Sequence, residues 1–323
     1  MNSSWVSTLD NLPRVGTVLA PTPLDPAVNL SDALGVEVWF KRDDLTGRGF
    51  GGNKVRTVEY LLGHALAEGH DCVVTGAGPQ SNWAMLSALT ATMAGLEPHL
   101  IYYGDPQPAA GNQLLAEISG ACIRWTGEVD RTSLDPVLNK VARELIDSGR
   151  SPCVIPRGGA TPLGCLGYVR GAIELTSQLV EHGIEATSIW LATGSCGTQA
   201  GLISGLTVLD ADLPVIGVAT SRTPTESAER VATLAAGTLA LLGDRRNAPE
   251  PIVVGGFIGE GYGIPSDAGR WAAELVARTE GVFLDPVFGA KAMAALIEYA
   301  RRDLIKGPLV YLVTGGAPTV LTK

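Results

Sequence analysis

Short apolar runs alternate with amphipathic segments along most of this 323-residue chain, and no other feature constrains the fold as strongly. The runs at residues 71–75, 98–103 and 188–192 have the length of strands, and the segments between such runs have apolar residues at helical spacing. Repeated strand–helix–strand units give parallel sheets with helices on their faces. We therefore predict an α/β fold with mostly parallel strands.

The first 30 residues do not follow this alternation. They contain four prolines, and a proline restricts its own backbone and that of the residue before it. We therefore expect residues 1–30 to form an extended arm rather than a helix. The four are Pro13, Pro21, Pro23 and Pro26.

Composition and charge exclude several classes of protein. With 24 basic and 33 acidic residues, the chain carries a formal charge of −9. Charges of both signs are interspersed, so we expect no nucleic-acid partner and no membrane surface as partner. The sequence has neither an apolar run of membrane-spanning length nor a signal peptide, which favours the cytoplasm. Five scattered cysteines and four histidines without ligand spacing predict neither disulfides nor a metal site.

Three predicted strands lead into loops rich in glycine and hydroxyl residues, at 76–82, 193–198 and 314–318. In open parallel sheets, ligands bind at the carboxyl ends of the strands, and helix N-termini there favour anions. We therefore expect a ligand site at this edge.

The loop Thr193-Gly194-Ser195-Cys196-Gly197-Thr198 is the best candidate for binding a phosphate. Successive backbone N–H groups in a glycine-rich turn can surround an anion, and Ser195 and Thr198 can add hydroxyl donors. The loop matches neither the P-loop nor the dinucleotide-binding pattern. An ordinary tight turn is the alternative, in which Cys196 fills space instead of reacting.

Lys54 and the run Gln80-Ser81-Asn82 are candidates for binding other parts of a ligand. A buried lysine loses proton affinity and can form a Schiff base, although Lys54 could also be a solvated charge at a turn. The polar run could hold a carboxylate or simply cap a helix. A lysine, a phosphate loop and a carboxylate-binding loop together are what pyridoxal phosphate and an amino-acid substrate require. The sequence therefore predicts this cofactor.

The chain resembles the 1-aminocyclopropane-1-carboxylate deaminase and D-cysteine desulfhydrase family of pyridoxal-phosphate enzymes over nearly its whole length. The motifs that carry the resemblance are Pro21-Thr22-Pro23-Leu24, Lys41-Arg42-Asp43-Asp44-Leu45-Thr46-Gly47, Gly51-Gly52-Asn53-Lys54-Val55-Arg56, Gln80-Ser81-Asn82, Thr193-Gly194-Ser195 with Gly197-Thr198, Gly261-Tyr262-Gly263, Leu284-Asp285-Pro286-Val287 and Thr314-Gly315-Gly316. This resemblance implies the tryptophan synthase β-like fold, type II, with two open twisted sheets. It also implies a homodimer, a large cofactor domain (1–49 and 161–323) and a small mobile domain (50–160).

The resemblance also implies roles for individual residues. Lys54 would hold the cofactor and move the Cα proton, and Asn53 would bond the ring hydroxyl. Residues 194–198 would bind the phosphate, Thr193 would be a further cofactor contact, and Thr314 would face the pyridine nitrogen. The expected substrate contacts, of which Ser81 and Tyr262 are also catalytic candidates, are Gln80, Ser81, Asn82, Trp83, Tyr262 and Phe288.

Five positions depart from the family pattern, and each lacks the family's polar side chain. Phe288 stands where the family has a tyrosine associated with cyclopropane opening, and the others are Gly289, Trp83, Met85 and Val313. We expect these five positions to surround one pocket, and we therefore interpret the changes as a sign of a different substrate or reaction.

The leading hypothesis is thus a lyase or transferase that deprotonates a small amino acid at Cα and eliminates or replaces a β or γ substituent, releasing keto acid and ammonia. The alternatives are cyclopropane ring opening, D-cysteine desulfhydration and a catalytically silent binding protein.

Overall fold

The computed structural model describes residues 4–322, and the strands within that range are three to six residues long. They lie close to where the sequence predicts them. In chain order they are β1 (Leu24–Pro26), β2 (Val38–Lys41), β3 (Cys72–Ala77), β4 (Glu97–Tyr102), β5 (Cys122–Trp125), β6 (Pro152–Val154), β7 (Ser188–Thr193), β8 (Val215–Ala219), β9 (Ile252–Val254) and β10 (Leu309–Leu312).

These strands form two sheets. The larger has the order β1-β2-β10-β7-β8-β9, and the smaller has the order β5-β4-β3-β6. The edge strand β1 pairs with β2 in the antiparallel sense, and every other neighbouring pair is parallel. The predicted α/β fold with two mostly parallel sheets is therefore confirmed.

Helices connect the strands and cover both sheets. They are α1 (Ser4–Asn11), α2 (Val28–Leu34), α3 (Asn53–Ala67), α4 (Asn82–Met93), α5 (Gly111–Ile118), α6 (Leu134–Asp147), α7 (Pro162–His182), α8 (Gly197–Val208), α9 (Pro224–Leu241), α10 (Asp267–Glu280) and α11 (Gly289–Arg301). Within residues 4–322, no helix combines the length and the apolar character that a membrane crossing requires.

The larger sheet has a hydrophobic core on each face. Along β7, Ile189 and Leu191 pack with residues of α7, α8 and α9, whereas Trp190 packs on the opposite face with residues of α10 and α11. Successive side chains of a strand point to opposite faces, so a strand buried on both sides is apolar throughout. This explains why the run at 188–192 is continuous rather than alternating.

The smaller sheet is likewise covered on both faces. Residues of α3 and α4 pack against Val73 and Ala77 on one face, and α6 packs against Val74 on the other. All four of its strands fall inside the range 50–160 that the sequence assigns to a small domain. The boundary and the mobility of that domain remain predictions.

The expectation of an extended N-terminal arm is wrong for much of its length. Residues Ser4–Asn11 form α1, whose Leu9 is buried against Tyr60 and Leu166. The four prolines all follow this helix, so they end it without disrupting it. The last of them, Pro26, ends β1, which pairs with β2, and α2 begins at Val28.

A network of buried charges links β2, α3 and α7, and we call Lys41, Asp43, Arg56 and Glu174 the buried ion network. Arg56 donates two hydrogen bonds of 2.8 Å to Asp43 and two of 2.9 Å to Glu174. Lys41 donates to Glu174, and the Tyr168 hydroxyl donates to Asp43 over 2.6 Å. Lys41 and Asp43 of the charged motif at 41–44 therefore have a structural role, because both side chains are buried.

Candidate active site

A cavity of about 290 Å³ opens at the carboxyl ends of strands from both sheets. Its wall includes residues that follow β3, β7 and β10, so all three loops singled out from the sequence contribute to it. Segments that follow β6 and β8 contribute as well. The site lies at the edge where parallel sheets bind ligands.

Lys54 reaches this cavity from the first turn of α3. Its Nζ lies 3.0 Å from Ser195 Oγ and 3.4 Å from the Gly158 carbonyl oxygen. Among the described residues, no carboxylate lies within 4.0 Å of this amine. Because burial is not offset by an acidic partner, the pKa of Lys54 is lowered to about 8. The amine is therefore easily deprotonated and can act as a nucleophile.

The backbone before Lys54 requires both of its glycines. Gly51 has φ = 69°, and a Cβ there would lie 1.8 Å from the Asp44 carbonyl oxygen. Gly52 has φ = 136°, outside the range of other residues, and its carbonyl oxygen accepts from the Thr46 hydroxyl. These two residues let the chain turn sharply into α3, which directs Lys54 toward the cavity.

The loop Thr193–Thr198 turns into α8 beside the lysine. Cys196 has φ = 77° at the helix N-cap, and the first N–H groups of a helix have no intrahelical acceptor. Gly194 lies against the Phe288 ring, where a Cβ would come within 3.0 Å of it. The loop thus presents backbone donors at a site where an anion is also favoured by the helix dipole.

The side chains of this loop have different environments. The Thr193 hydroxyl donates to Gln199 over 2.8 Å, inside the protein, while the Thr198 hydroxyl accepts from Asn53 Nδ2 over 2.9 Å at the cavity. Cys196 is 2% exposed, and burial raises the pKa of its thiol. A thiol with a raised pKa is a poor nucleophile, so Cys196 has the properties of a space-filling residue.

The run Gln80-Ser81-Asn82 is split between the cavity and its surroundings. Ser81 caps α4 by accepting from the Ala84 N–H, and Ser81 and Asn82 both line the cavity. Gln80 instead bonds the backbone before α5, since its amide oxygen accepts from the Asn112 N–H over 3.1 Å and its amide nitrogen donates to Ala110. Gln80 therefore orders the neighbouring loop, away from the cavity wall.

All three aromatic candidates, Trp83, Tyr262 and Phe288, lie at the cavity. The Tyr262 ring stands edge-on to that of Phe288, with centroids 6.1 Å apart. Trp83 is 3% exposed and donates from its indole nitrogen to the Thr75 hydroxyl over 2.9 Å. Burial raises the pKa of Tyr262, although two fifths of the residue is exposed, so its hydroxyl stays protonated at neutral pH.

Of the five positions that depart from the family pattern, only Phe288 and Trp83 line the cavity within the described chain. Met85 packs with core residues between α3 and α4, and Val313 packs in the core of the larger sheet. Gly289 begins α11 and donates its N–H to Asp285. The interpretation that all five replacements surround one pocket is therefore wrong, because three of them are core or helix-end positions.

Sequence reasoning missed two groups of residues around the cavity. Buried Lys291 donates to the carbonyl oxygens of Ile258 and Gly261 over 2.6 and 3.1 Å, and so holds the loop that carries Tyr262. Four arginines also line the wall, and we call them the cavity arginines: Arg131, Arg157, Arg222 and Arg230. Arg157 and Arg222 follow β6 and β8, so the strand-end criterion applied to the other loops would have found them.

A model for the family described as pyridoxal-phosphate-dependent enzyme matches residues 15–315. The chain belongs to this family. A D-cysteine desulfhydrase from Salmonella choleraesuis (strain SC-B67) is 38% identical over 323 residues, covering 97% of this chain and 96% of that protein. The crystal structure of an ACC (1-aminocyclopropane-1-carboxylate) deaminase homologue has a TM-score of 0.93 at 35% identity, covering 99% of this chain and 97% of that one.

The resemblance stated from the motifs is thereby confirmed, as are the enzyme class and the cofactor. The processed form of threonine deaminase isoform 2 from Solanum lycopersicum has a TM-score of 0.70 at 16% identity, covering 97% of this chain and 88% of that one. At that identity the likeness extends to the fold alone. This pyridoxal-phosphate-dependent enzyme thus has the type II fold expected from its sequence.

The residues at the cavity fit the cofactor of the family. Lys54, an amine of lowered pKa, lies beside a loop whose backbone N–H groups can donate to a phosphate. Thr314 and Asn53 both line the cavity, and the Asn53 N–H donates to the Thr314 carbonyl oxygen over 3.0 Å. The cavity therefore has groups for the aldehyde, the phosphate and the ring of pyridoxal phosphate.

Proposed function

We propose that this enzyme deprotonates a small amino acid at Cα and eliminates a β or γ substituent, releasing a keto acid and ammonia. The observation that carries the proposal is the environment of Lys54, an enclosed amine without an acidic partner whose pKa lies near 8. Such an amine can accept a proton at neutral pH and return it, as a general base must. Replacement of the leaving group by a second substrate uses the same first step.

In this proposal each wall of the cavity has a distinct task. Lys54 holds the cofactor and takes the Cα proton, while the backbone of 194–198 holds the phosphate. Ser81 and Asn82 hold the substrate carboxylate. The bound cofactor supplies an electron sink for the negative charge that develops at Cα. Thr314 provides a hydroxyl rather than a carboxylate for the pyridine nitrogen, which favours elimination over transamination.

Tyr262 is the candidate for a second proton-transfer group. Its hydroxyl is protonated at neutral pH and so carries a proton to donate, and Lys291 fixes the loop on which it stands. The Phe288 ring, which lies edge-on to that of Tyr262, has no hydroxyl of its own to supply a proton. Tyr262 is thus positioned to protonate a leaving group or to contact the substrate.

Borohydride trapping tests the role assigned to Lys54. We expect purified protein to be yellow, and reduction to fix the colour on the peptide that contains Lys54. Lys54→Ala should lose the attachment and lower turnover by about 10²- to 10⁴-fold, the range for a positioned acid–base group. Lys306→Ala, a change at an exposed lysine, is the matched control and should keep both the cofactor attachment and the turnover. Colourless protein that takes up no cofactor would refute the proposal.

A panel of D- and L-amino acids, assayed for keto acid and ammonia, tests the reaction. Release of both products from any member supports elimination. Cofactor attachment without turnover across the panel would favour the catalytically silent alternative.

Ring opening of 1-aminocyclopropane-1-carboxylate is a second candidate, supported by the structural likeness to an ACC deaminase homologue. Phe288 argues against it, because the hydroxyl associated with ring opening is missing at this position. We expect Phe288→Tyr to raise that activity relative to the native protein. Turnover of the cyclopropane by the native protein at the rate of its best substrate would contradict the weight given to Phe288. D-cysteine, the substrate that the Salmonella relative's name gives, belongs in the same assay.

A homodimer, a cytoplasmic location and a small domain that closes over the substrate complete the proposal. Arg56 on α3 is bonded to Glu174 on α7, so we place the moving segment beyond α3 rather than at residue 50. Light scattering on the eluting protein gives the mass of the assembly, and fractionation of cells gives its location. Hydrogen exchange with and without a bound amino acid reports which segment closes.

A further inference from the structure

The cavity is lined by positive charge, although the chain as a whole carries −9. Five basic side chains face it, Lys54 and the cavity arginines, against two acidic ones, Asp135 and Asp285. Asp285 accepts hydrogen bonds from three backbone N–H groups, and burial raises its pKa. The excess of cationic groups is therefore a local feature of this wall.

None of the cavity arginines has a carboxylate within 4.0 Å among the described residues. Their partners are neutral. Arg222 donates to the Gly194 carbonyl oxygen, Arg230 donates to that of Ser195 over 3.3 Å, and Arg157 donates to that of Arg131, also over 3.3 Å. These bonds orient three of the four guanidinium groups without pairing any of them with a carboxylate.

The nearby carboxylates act on these arginines only from beyond ion-pair distance: after the bonds to Thr223, the charges of Arg222 and Arg131 lower the pKa of Glu226. Glu226 is exposed and bonded to Thr223 in the capping box of α9, and Asp135 is exposed at the start of α6. Burial and then the charges of Arg230, Arg131 and Arg157 lower the pKa of Arg222. A guanidinium beside like charges indicates a site that is completed by an anion.

The cofactor phosphate accounts for part of this charge. The phosphate loop lies at 194–198, and Arg222 and Arg230 are bonded to its backbone, so they flank the phosphate. Arg131 and Arg157 come from segments next to the smaller sheet. The guanidinium carbon of Arg131 lies 5.3 Å from the centre of the Tyr262 ring, on the side assigned to the substrate. The α-carboxylate already has Ser81 and Asn82.

We propose that the substrate carries a second acidic group, an oxyanion on its side chain, and that Arg131 and Arg157 bind it. The proposal rests on the elimination reaction proposed above and adds the class of its substrate. Phosphate, sulfonate and carboxylate share the required chemistry, because each accepts paired hydrogen bonds from a guanidinium.

An acidic leaving group also suits the reaction. When Lys54 takes the Cα proton, the bond from Cβ to the substituent breaks and its electron pair stays with the departing group. Phosphate or sulfite then leaves as an anion, and water converts the remaining fragment to pyruvate and ammonia. Guanidinium groups at that point stabilise the charge that develops on the departing oxygens.

Matched amino acids test the proposal on the cofactor-loaded enzyme. The pairs are O-phosphoserine with O-acetylserine, 3-sulfoalanine with cysteine, and S-carboxymethylcysteine with S-methylcysteine. Each compound is tested as its D- and its L-enantiomer. We expect kcat/KM to be at least about 100-fold higher for the acidic member of one pair, since two charge-assisted contacts are gained. The pair that shows the preference identifies the oxyanion.

Substitution of the two arginines then tests their role. In Arg131→Gln and Arg157→Gln we expect the preference for the acidic member to fall by about 10- to 100-fold, mainly through KM. Arg143→Gln, a change at an exposed arginine of α6, is the matched control and should keep the preference. Cofactor absorbance, measured in every variant, reports loading independently of turnover.

The outcomes separate this proposal from the one on which it rests. Equal kcat/KM within every pair would overturn the second acidic group and leave elimination standing. Loss of cofactor from Arg131→Gln and Arg157→Gln would overturn it too, because these arginines would then serve the cofactor. If no amino acid turns over, the elimination proposal fails, and a thermal-shift measurement then tests binding alone. Stabilisation of the native protein, but not of Arg131→Gln, by the acidic amino acids supports the binding site.

Discussion

The buried ion network and the cavity arginines differ in what surrounds their positive charges. In the buried ion network, Arg56 is 3% exposed and shares four hydrogen bonds with Asp43 and Glu174. The cavity arginines are partly exposed, and their bonds go to carbonyl oxygens and the face of Tyr262. The same side chain therefore has two roles in one chain.

Structural charges of this enzyme are neutralised by partners within the protein, whereas charges placed for a ligand are not. Burial by itself would raise the pKa of Asp43, but Arg56 overcomes that effect and holds the pKa below its ordinary value. A pair compensated in this way needs no ligand. Charges that the protein orients without neutralising are placed for a group that arrives from outside.

Breaking the buried ion network should have the largest effect on stability. We expect Arg56→Met to lower the free energy of unfolding by about 3–5 kcal/mol, because Asp43 and Glu174 would remain buried without a cation. Urea denaturation followed by circular dichroism measures this change. Arg143→Met on the exposed face of α6 is the control, with an expected change of no more than about 0.5 kcal/mol. A similarly small change for Arg56→Met would show that the network is not structural.

Lys54 should behave in the opposite way, because its charge has no partner. Its pKa is near 8 in the folded protein and 10.5 when unperturbed. In cofactor-free protein at pH 7 we expect Lys54→Met to raise the free energy of unfolding by up to about 3 kcal/mol, at about 1.4 kcal/mol per pKa unit. The folded-state pKa is depressed, so the penalty is full below pH 8 and disappears as pH rises toward 10.5. Denaturation of both proteins at pH 7 and 9.5 should show the gap closing, and a gap that does not depend on pH would contradict this explanation.

Lys291 represents an intermediate case, a buried cation bonded to neutral carbonyl oxygens. We expect Lys291→Met to lower the free energy of unfolding by about 1–3 kcal/mol, the cost of leaving buried acceptors unsatisfied. Because the carbonyls belong to the loop of Tyr262, turnover should fall as well, with cofactor loading unchanged. Stability and turnover measured on the same preparation test both effects. Normal turnover in a destabilised variant would show that the loop is held by other contacts.

The sequence predicted the sheets and the loops that line the cavity well, because strand periodicity and strand-end chemistry are local signals. The loop at 193–198 was found this way and Lys54 from the chemistry of a buried amine, whereas α1 was missed because the prolines that follow it were counted with it. The positions of Met85 and Val313 depend on side-chain packing, which no motif encodes. Gln80 illustrates the same limit, since its partner Asn112 is 32 residues away. The cavity arginines were not predicted, because whether an arginine is paired depends on which carboxylates lie near it in space.

The smallest expected change in the free energy of unfolding is that of Arg157→Gln, and it tests the contrast between the buried ion network and the cavity arginines most directly. Arg157→Gln should change the free energy of unfolding by no more than about 0.5 kcal/mol, since no ion pair is lost and a repulsion among like charges is relieved. The native protein should also gain stability when sodium chloride is raised from 0.01 to 0.15 M, because the Debye length falls from about 30 Å to about 8 Å and the repulsion is screened. This gain should be smaller in Arg157→Gln, and urea denaturation at both salt concentrations measures it. A loss in Arg157→Gln as large as that in Arg56→Met would mean that Arg157 is held in a structural pair, and the cavity arginines would then need no anion from the substrate.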